Sequence, residues 1–221
     1  MSVVVAIKDN GRVYIGADSQ VTKGGTRTTL RNPNNYKVWR VGDAPNCLMA
    51  SVGTLRDANV VRLMEDLVTD YNVYRDEIDY KFVVRKIVPS IVNELKSYGF
   101  LKDEQYVESL DSSFLFAFQD KLYKIGFDCS VVEVSDFAAI GSGANEALGS
   151  LLSTDKLPPK ERIVRAIKAS AANDIYVDYP IILVDTKYGD FEIVTETNEK
   201  QYLTHPKKKG EDKNDAERAK V

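Results

Sequence analysis

The second residue of this chain can serve as a nucleophile and carry its own base. With Met1 removed, the sequence begins Ser2-Val-Val-Val-Ala-Ile-Lys-Asp-Asn-Gly-Arg-Val-Tyr-Ile-Gly-Ala-Asp-Ser. A hydroxyl then stands beside an α-amine at the head of a strand, and the small Ser2 side chain is the reason to expect Met1 to be removed. An α-amine titrates near pH ~7.7–8.0, against ~10.4 for a lysine side chain, so a useful fraction is neutral in neutral solution. Ser2 Oγ can attack a carbonyl while its own amine takes the proton, the N-terminal variant of triad logic.

Other routes to chemistry are poorly served. The single histidine, His205, lies in the polar run Thr-His-Pro-Lys-Lys-Lys-Gly after the last strand-like segment. That argues against a Ser-His-Asp triad and against a histidine-based metal site. The sequence contains no Cys-x-x-Cys, no P-loop and no Gly-x-Gly-x-x-Gly, so no cofactor or metal is expected. A net charge of −3 offers no global attraction to nucleic acid or an anionic membrane. No apolar run approaches the roughly 18 residues of a membrane span, and the first residues show no charged n-region followed by an apolar h-region. Cys47 and Cys129 sit in apolar, strand-like surroundings, which fits a reduced, cytoplasmic setting.

The elements that must hold Ser2 can be read from periodicity. At 221 residues and 43% hydrophobic, the chain can bury one sizeable core. Residues 3–8 and 12–17 predict a hairpin around Asp9-Asn10-Gly11. Residues 21–35 read as a polar loop or irregular excursion, and 36–41 with 47–52 as a second hairpin across Gly42-Asp43-Ala44-Pro45-Asn46. Helical spacing follows over 55–71, with Ala58, Val61, Met64, Leu67, Val68 and Tyr71 on one stripe. A second helix is predicted over 80–98, with a kink or local adjustment at Pro89. Strands at 113–119, 122–128, 130–134 and 137–140 precede helices at 145–153 and 160–173. A hairpin of 180–186 and 191–195 closes the fold. Blocks of strands and helices in this order predict an α+β chain, a four-layer αββα sandwich of two antiparallel sheets. Residues 1–197 form the expected domain, and the charged segment 198–221 reads as a mobile tail.

Six motifs in order then resemble the proteasome β-type family of N-terminal nucleophile hydrolases, nearest to the bacterial HslV-type peptidases. They are Ser2, Gly-Ala-Asp18-Ser, Tyr-Lys37-Val-Trp-Arg, Ser-Val-Gly53-Thr, Ala-Ile-Gly-Ser142-Gly and Ala-Asn-Asp174-Ile-Tyr, covering about residues 2–195. The resemblance implies Ser2 as nucleophile and Lys37 as a positive charge favouring the neutral amine and the developing alkoxide. Asp18 would hold Lys37, and the Gly53 N–H would face the oxyanion. Ser142 and Asp174 would support the α-amine. Thr22 falls where the family pairs its backbone with extended substrate, and Ser51 and Leu55 near its first specificity pocket.

Bland readings stand beside these. Lys37 also reads as a solvated strand lysine, Asp18 as a turn residue, Gly53 as a strand breaker, Ser142 as a cap and Asp174 as a helix end. The chain also departs from the family. The nucleophile is Ser where most relatives have Thr, and the stretch before Lys37 is longer. Val177 replaces a common serine, and the tail has no HslV-type counterpart. The resemblance implies a peptidase acting on unfolded polypeptides inside a homo-oligomeric ring, with an ATPase unfoldase ring as partner. A non-catalytic ring subunit of the same fold, and a small-molecule amide hydrolase of the superfamily, are the alternatives.

Overall fold

The run Val3-Val4-Val5-Ala6-Ile7 has no polar alternation, as a strand covered on both faces requires. The computed structural model describes residues 2–42, 46–69, 72–73, 77–104 and 107–203. In it β1 (Val3–Asp9) is an interior strand of a five-stranded antiparallel sheet. Its neighbours are β2 (Arg12–Ala17) and β12 (Phe137–Gly141). Val4 and Ala6 point into one apolar cluster, and Val3, Val5 and Ile7 into another on the opposite face. The Asn10-Gly11 turn has φ of 48° and 72°, the doubly left-handed geometry its composition predicts.

Beyond β2 the same sheet adds β13 (Ile181–Asp185) and β14 (Glu192–Val194). A second five-stranded antiparallel sheet is ordered β11-β10-β9-β6-β5. Its strands are β5 (Val38–Arg40), β6 (Cys47–Gly53), β9 (Ser112–Phe118), β10 (Lys121–Ile125) and β11 (Val131–Glu133). Between the sheets lie Val4, Ala6, Ile15, Leu48, Ala50, Leu115 and Ala117. Outside the first sheet pack α3 (Ala144–Ser153) and α4 (Pro159–Asn173), which bury Leu151, Ile163 and Ile167. Outside the second, Phe114, Phe116 and Phe118 meet Ala58 and Val61 of α1 (Leu55–Arg62). Ile87, Ile91 and Leu95 of α2 (80–97) complete that layer. The result is the four-layer αββα sandwich.

Helix α2 runs through Tyr80–Phe82, a π-helical turn Val83–Ile87, and Val88–Ser97. The widened turn directly precedes Pro89, and the Val88 N–H reaches back to Val83 O. A proline ring would otherwise clash with the carbonyl four residues earlier, so this turn is the adjustment expected there.

Three local expectations need correction. Helix α1 ends at Arg62, where the N–H groups of Leu63 and Met64 bond only three residues back. Leu67 and Val68 remain in the core without extending the helix. The stretch 21–35 is no simple loop, because β3 (Gln20–Lys23) and β4 (Thr26–Thr29) pair across Gly24-Gly25. A short hairpin of β7 (Lys102–Glu104) and β8 (Val107–Ser109) was not foreseen either. Past residue 198, Tyr202 and Leu203 pack on the α3–α4 layer, and Lys168 pairs with Glu199 at 2.7 Å. Met1, residues 43–45, Tyr71 and 204–221, including His205, lie outside the described residues.

Candidate active site

Ser2 leads into β1 and is 6% exposed. Its backbone is held from two sides. The Ser2 N–H donates to Ser142 Oγ at 3.1 Å, and that hydroxyl donates to Ser2 O at 3.3 Å. Gly143 N–H also reaches Ser2 O, at 3.4 Å. Gly141 makes this approach feasible: its φ is +103°, and a Cβ there would stand 2.1 Å from Ser2 O. Ser170, fully buried on α4, donates to Gly143 O at 2.7 Å and secures the turn from behind.

On the other side, Val3 N–H donates to Asp18 Oδ1 at 2.9 Å, and Gln20 N–H to Oδ2 at 2.9 Å. Lys37 Nζ donates to both Asp18 oxygens at 2.8 Å and to Gln20 O at 2.6 Å. Burial pushes the Asp18 carboxyl up, opposed chiefly by Lys37. Burial likewise pushes the Lys37 ammonium down, opposed chiefly by Asp18 and more weakly by Asp174. The contacts decide the outcome for the pair: four donor contacts converge on Asp18, so it is held ionised with Lys37 charged beside it.

Ser2 divides two depressions. One cleft is lined by Ser2, Thr22, Lys37, Ser51, Gly53 and Leu55 among others, so it gathers most of the residues singled out in the sequence. The second, on the Ser142 side, is lined by Ser2, Gly53, Ser112, Phe127, Gly141 and Ser142 among others. Gly53 borders both. Its φ is +121°, and a Cβ would come within 2.3 Å of Asp111 O, so no other residue fits without backbone movement.

Asp174 is placed differently from the expectation of direct support. Its Oδ1 accepts from Tyr176 N–H at 2.9 Å, and its Oδ2 is buried without a hydrogen-bond partner among the described residues. It bears on the site through its charge on Lys37. Val177 is buried apolar against the α3–α4 layer and offers no polar support.

Gln20 and Ser170 were missed in the sequence. Gln20 Nε2 donates to Thr22 Oγ1 at 2.9 Å and to Ile175 O at 2.8 Å, joining β3 to the segment after α4. Neither residue sits in a local pattern, so only the three-dimensional contacts reveal them. Among the described residues no group of His, Cys, Asp or Glu could hold a metal, and no helix is long and apolar enough to cross a membrane.

An αββα sandwich of two five-stranded antiparallel sheets, with Ser2 at the mouth of a cleft, has the N-terminal nucleophile hydrolase architecture. Residues 2–179 match the proteasome subunit family, and the chain belongs to that family. It is 26% identical over 190 residues to the ATP-dependent protease subunit HslV of Borreliella burgdorferi, covering 82% of this chain and 94% of that protein. Among solved structures it is similar to Thiobacillus denitrificans BPH, at a TM-score of 0.65 and 22% identity, covering 88% of this chain and 99% of that one. Eukaryotic HslV from Trypanosoma brucei aligns at a TM-score of 0.59 and 15% identity, covering 83% and 98%. The family is one of proteasome- and HslV-like peptidases.

Proposed function

We propose that this chain is an endopeptidase subunit that cleaves peptide bonds with Ser2 as nucleophile, once Met1 has been removed. The observation that carries the reading is the convergence of Ser142 on the Ser2 nitrogen and of the Asp18–Lys37 pair beneath Val3, at the edge of an open cleft. Ser2 Oγ attacks the carbonyl carbon while the α-amine accepts the hydroxyl proton. The carbonyl oxygen becomes an oxyanion on the side of Gly53. Collapse expels the amine fragment, which takes the proton from the α-ammonium, and leaves an ester on Ser2. Water, deprotonated by the same amine, then releases the acid fragment.

In this scheme Lys37 disfavours protonation of the neighbouring amine, while Asp18 fixes its position. Ser142 orients the amine, and Asp174 supplies a more distant negative charge. Thr22 in β3 presents an edge for an extended substrate, and Ser51 and Leu55 line the pocket for its side chain. The curated relatives are named as ATP-dependent protease subunits. Assembly into a homo-oligomeric ring, an ATPase partner that unfolds polypeptide substrates, and a cytoplasmic location belong to the same proposal.

The test is covalent capture. A Thiobacillus denitrificans BPH structure contains epoxomicin, which makes it a suitable probe here. Its mass should appear on the Ser2-bearing peptide, whose sequencing should begin at Ser2. Ser2→Ala should fold and assemble but neither hydrolyse peptides nor be labelled. Labelling elsewhere, full activity in Ser2→Ala, or Met1 retained in active protein would overturn the scheme.

A further inference from the structure

The face of α1 that lines the Ser2 cleft consists of Leu55, Ala58 and Arg62, spaced three and four residues apart. The small Ala58 between the larger two leaves the Arg62 end of the helix open to the cleft. Arg62 donates Nη1 to Asn34 O and Nη2 to Tyr36 O, and its guanidinium carbon lies 4.8 Å from the centroid of the Trp39 ring. Its Nε is shielded from solvent and has no hydrogen-bond partner. Among the described residues, no carboxylate lies within ion-pair distance of it. Burial alone pushes its pKa down to about 10.

The charges of the cleft therefore do not cancel. Lys37 is matched by Asp18 directly behind it. Among the described residues Arg62 has no such match, and none of those lining the cleft is Asp or Glu. Ser51 adds a donor: it is 4% exposed and lines the same cleft. A half-buried cation with no counter-ion among the described residues, its Nε shielded from water, is unfavourable until a group of the right chemistry enters.

We propose that this cleft selects substrates with Asp or Glu on the acyl side of the scissile bond, the side-chain carboxylate being received by Arg62 and Ser51. This rests on the peptidase reading of Ser2 and deepens it. A lysine or arginine there would meet like charge. A leucine would seal Arg62 from water without an anion, and a site built for a polar group rejects an apolar analogue for that reason. A charge-assisted hydrogen bond of this kind corresponds to about 10- to 100-fold in selectivity.

The experiment uses the full chain and four peptides identical except for Glu, Asp, Leu or Lys at that position. Fluorescence anisotropy measures their binding to Ser2→Ala protein, and hydrolysis is measured with wild type. Glu and Asp peptides should bind and be cleaved about 10- to 100-fold better than Leu, and Lys should be poorest. Arg62→Gln should remove most of the preference, and Ser51→Ala a smaller part. If Arg62→Gln fails to fold, the wild-type panel and Ser51→Ala still decide. Equal binding of Glu and Leu peptides overturns the pocket inference, while hydrolysis of either leaves the peptidase reading in place. Selective binding of Glu peptides without hydrolysis or epoxomicin labelling does the reverse.

Discussion

Replacing Lys37 by Met should destabilise the protein by about 3–5 kcal/mol, because it leaves the Asp18 carboxylate buried without its counter-ion. Asp18 has no side-chain exposure and Lys37 only 7%, so water can replace neither partner. Asp18→Asn should cost a similar amount by leaving the buried lysine without a counter-ion, only neutral acceptors such as Gln20 O remaining to it. The double variant removes both charges. The side-chain amide carbonyl introduced by Asp18→Asn can still accept one of the Val3 and Gln20 N–H groups, so about 1–3 kcal/mol should remain for the other. The two single losses would sum to about 6–10 kcal/mol, so the predicted double is far from additive. Urea titration followed by fluorescence of the single Trp39, which is 5% exposed, reads each value. The pH dependence has a definite sign. Burial raises the Asp18 carboxyl, and removing Lys37 removes the largest opposing influence. A carboxyl raised in the folded state is easiest to bury when protonated, so the Lys37→Met deficit should shrink toward about pH 5 and grow toward pH 8. Peptide hydrolysis should be lost in all three variants. A double variant as unstable as the sum of the singles would refute the reasoning that these groups form one coupled buried pair.

Further outcomes test other contacts. Gly141→Ala places a Cβ against Ser2 O in a left-handed backbone, so hydrolysis should fall at least about 10-fold and stability by roughly 1–3 kcal/mol, read by kcat/KM and urea titration. Gly53→Ala should lower kcat by about 10²–10³-fold with a smaller change in KM, because the displaced N–H is the proposed oxyanion donor. Ser142→Ala should cost no more than about 1.5 kcal/mol, yet shift the pH profile of kcat/KM by releasing the Ser2 nitrogen. Cys47 is buried with its thiol pushed up, so mass spectrometry should find it unalkylated by iodoacetamide in the native protein and modified after denaturation.

The sandwich was legible because its two-sided strands and amphipathic helices follow local periods. Val3-Val4-Val5 reads as covered on both faces, and Asn10-Gly11 as a tight turn, from composition alone. Ser2 was legible as a candidate from its place at the head of a strand, and Asp18, Lys37 and Ser142 from the resemblance of their motifs to the proteasome β-type family. The hairpin across Gly24-Gly25 was hidden by polarity, since β4 is exposed and its strand pairing leaves no apolar alternation. The end of α1 was hidden for the opposite reason. Leu67 and Val68 keep the helical spacing while the backbone has already left the helix. Gln20, Ser170 and Arg62 act through partners distant in sequence, and no local pattern records such contacts.

The interior position of β1 also sets a timetable. Ser2 lies between residues made immediately afterwards and the turn at Ser142, which is 140 positions later. At about 5–20 residues per second, roughly 7–30 s of synthesis separate the emergence of the terminus from that of its last strand neighbour. Until β12 leaves the ribosome, the first strand has an unfilled edge, and the Ser142 hydroxyl that orients Ser2 does not exist. Pairing between such remote segments is also the slow kind. Ser2, made long before Ser142, is thus among the last residues to acquire its surroundings. In the proposed scheme, the reactivity of Ser2 is withheld from the nascent chain and from its neighbours on the polysome until the sandwich has closed.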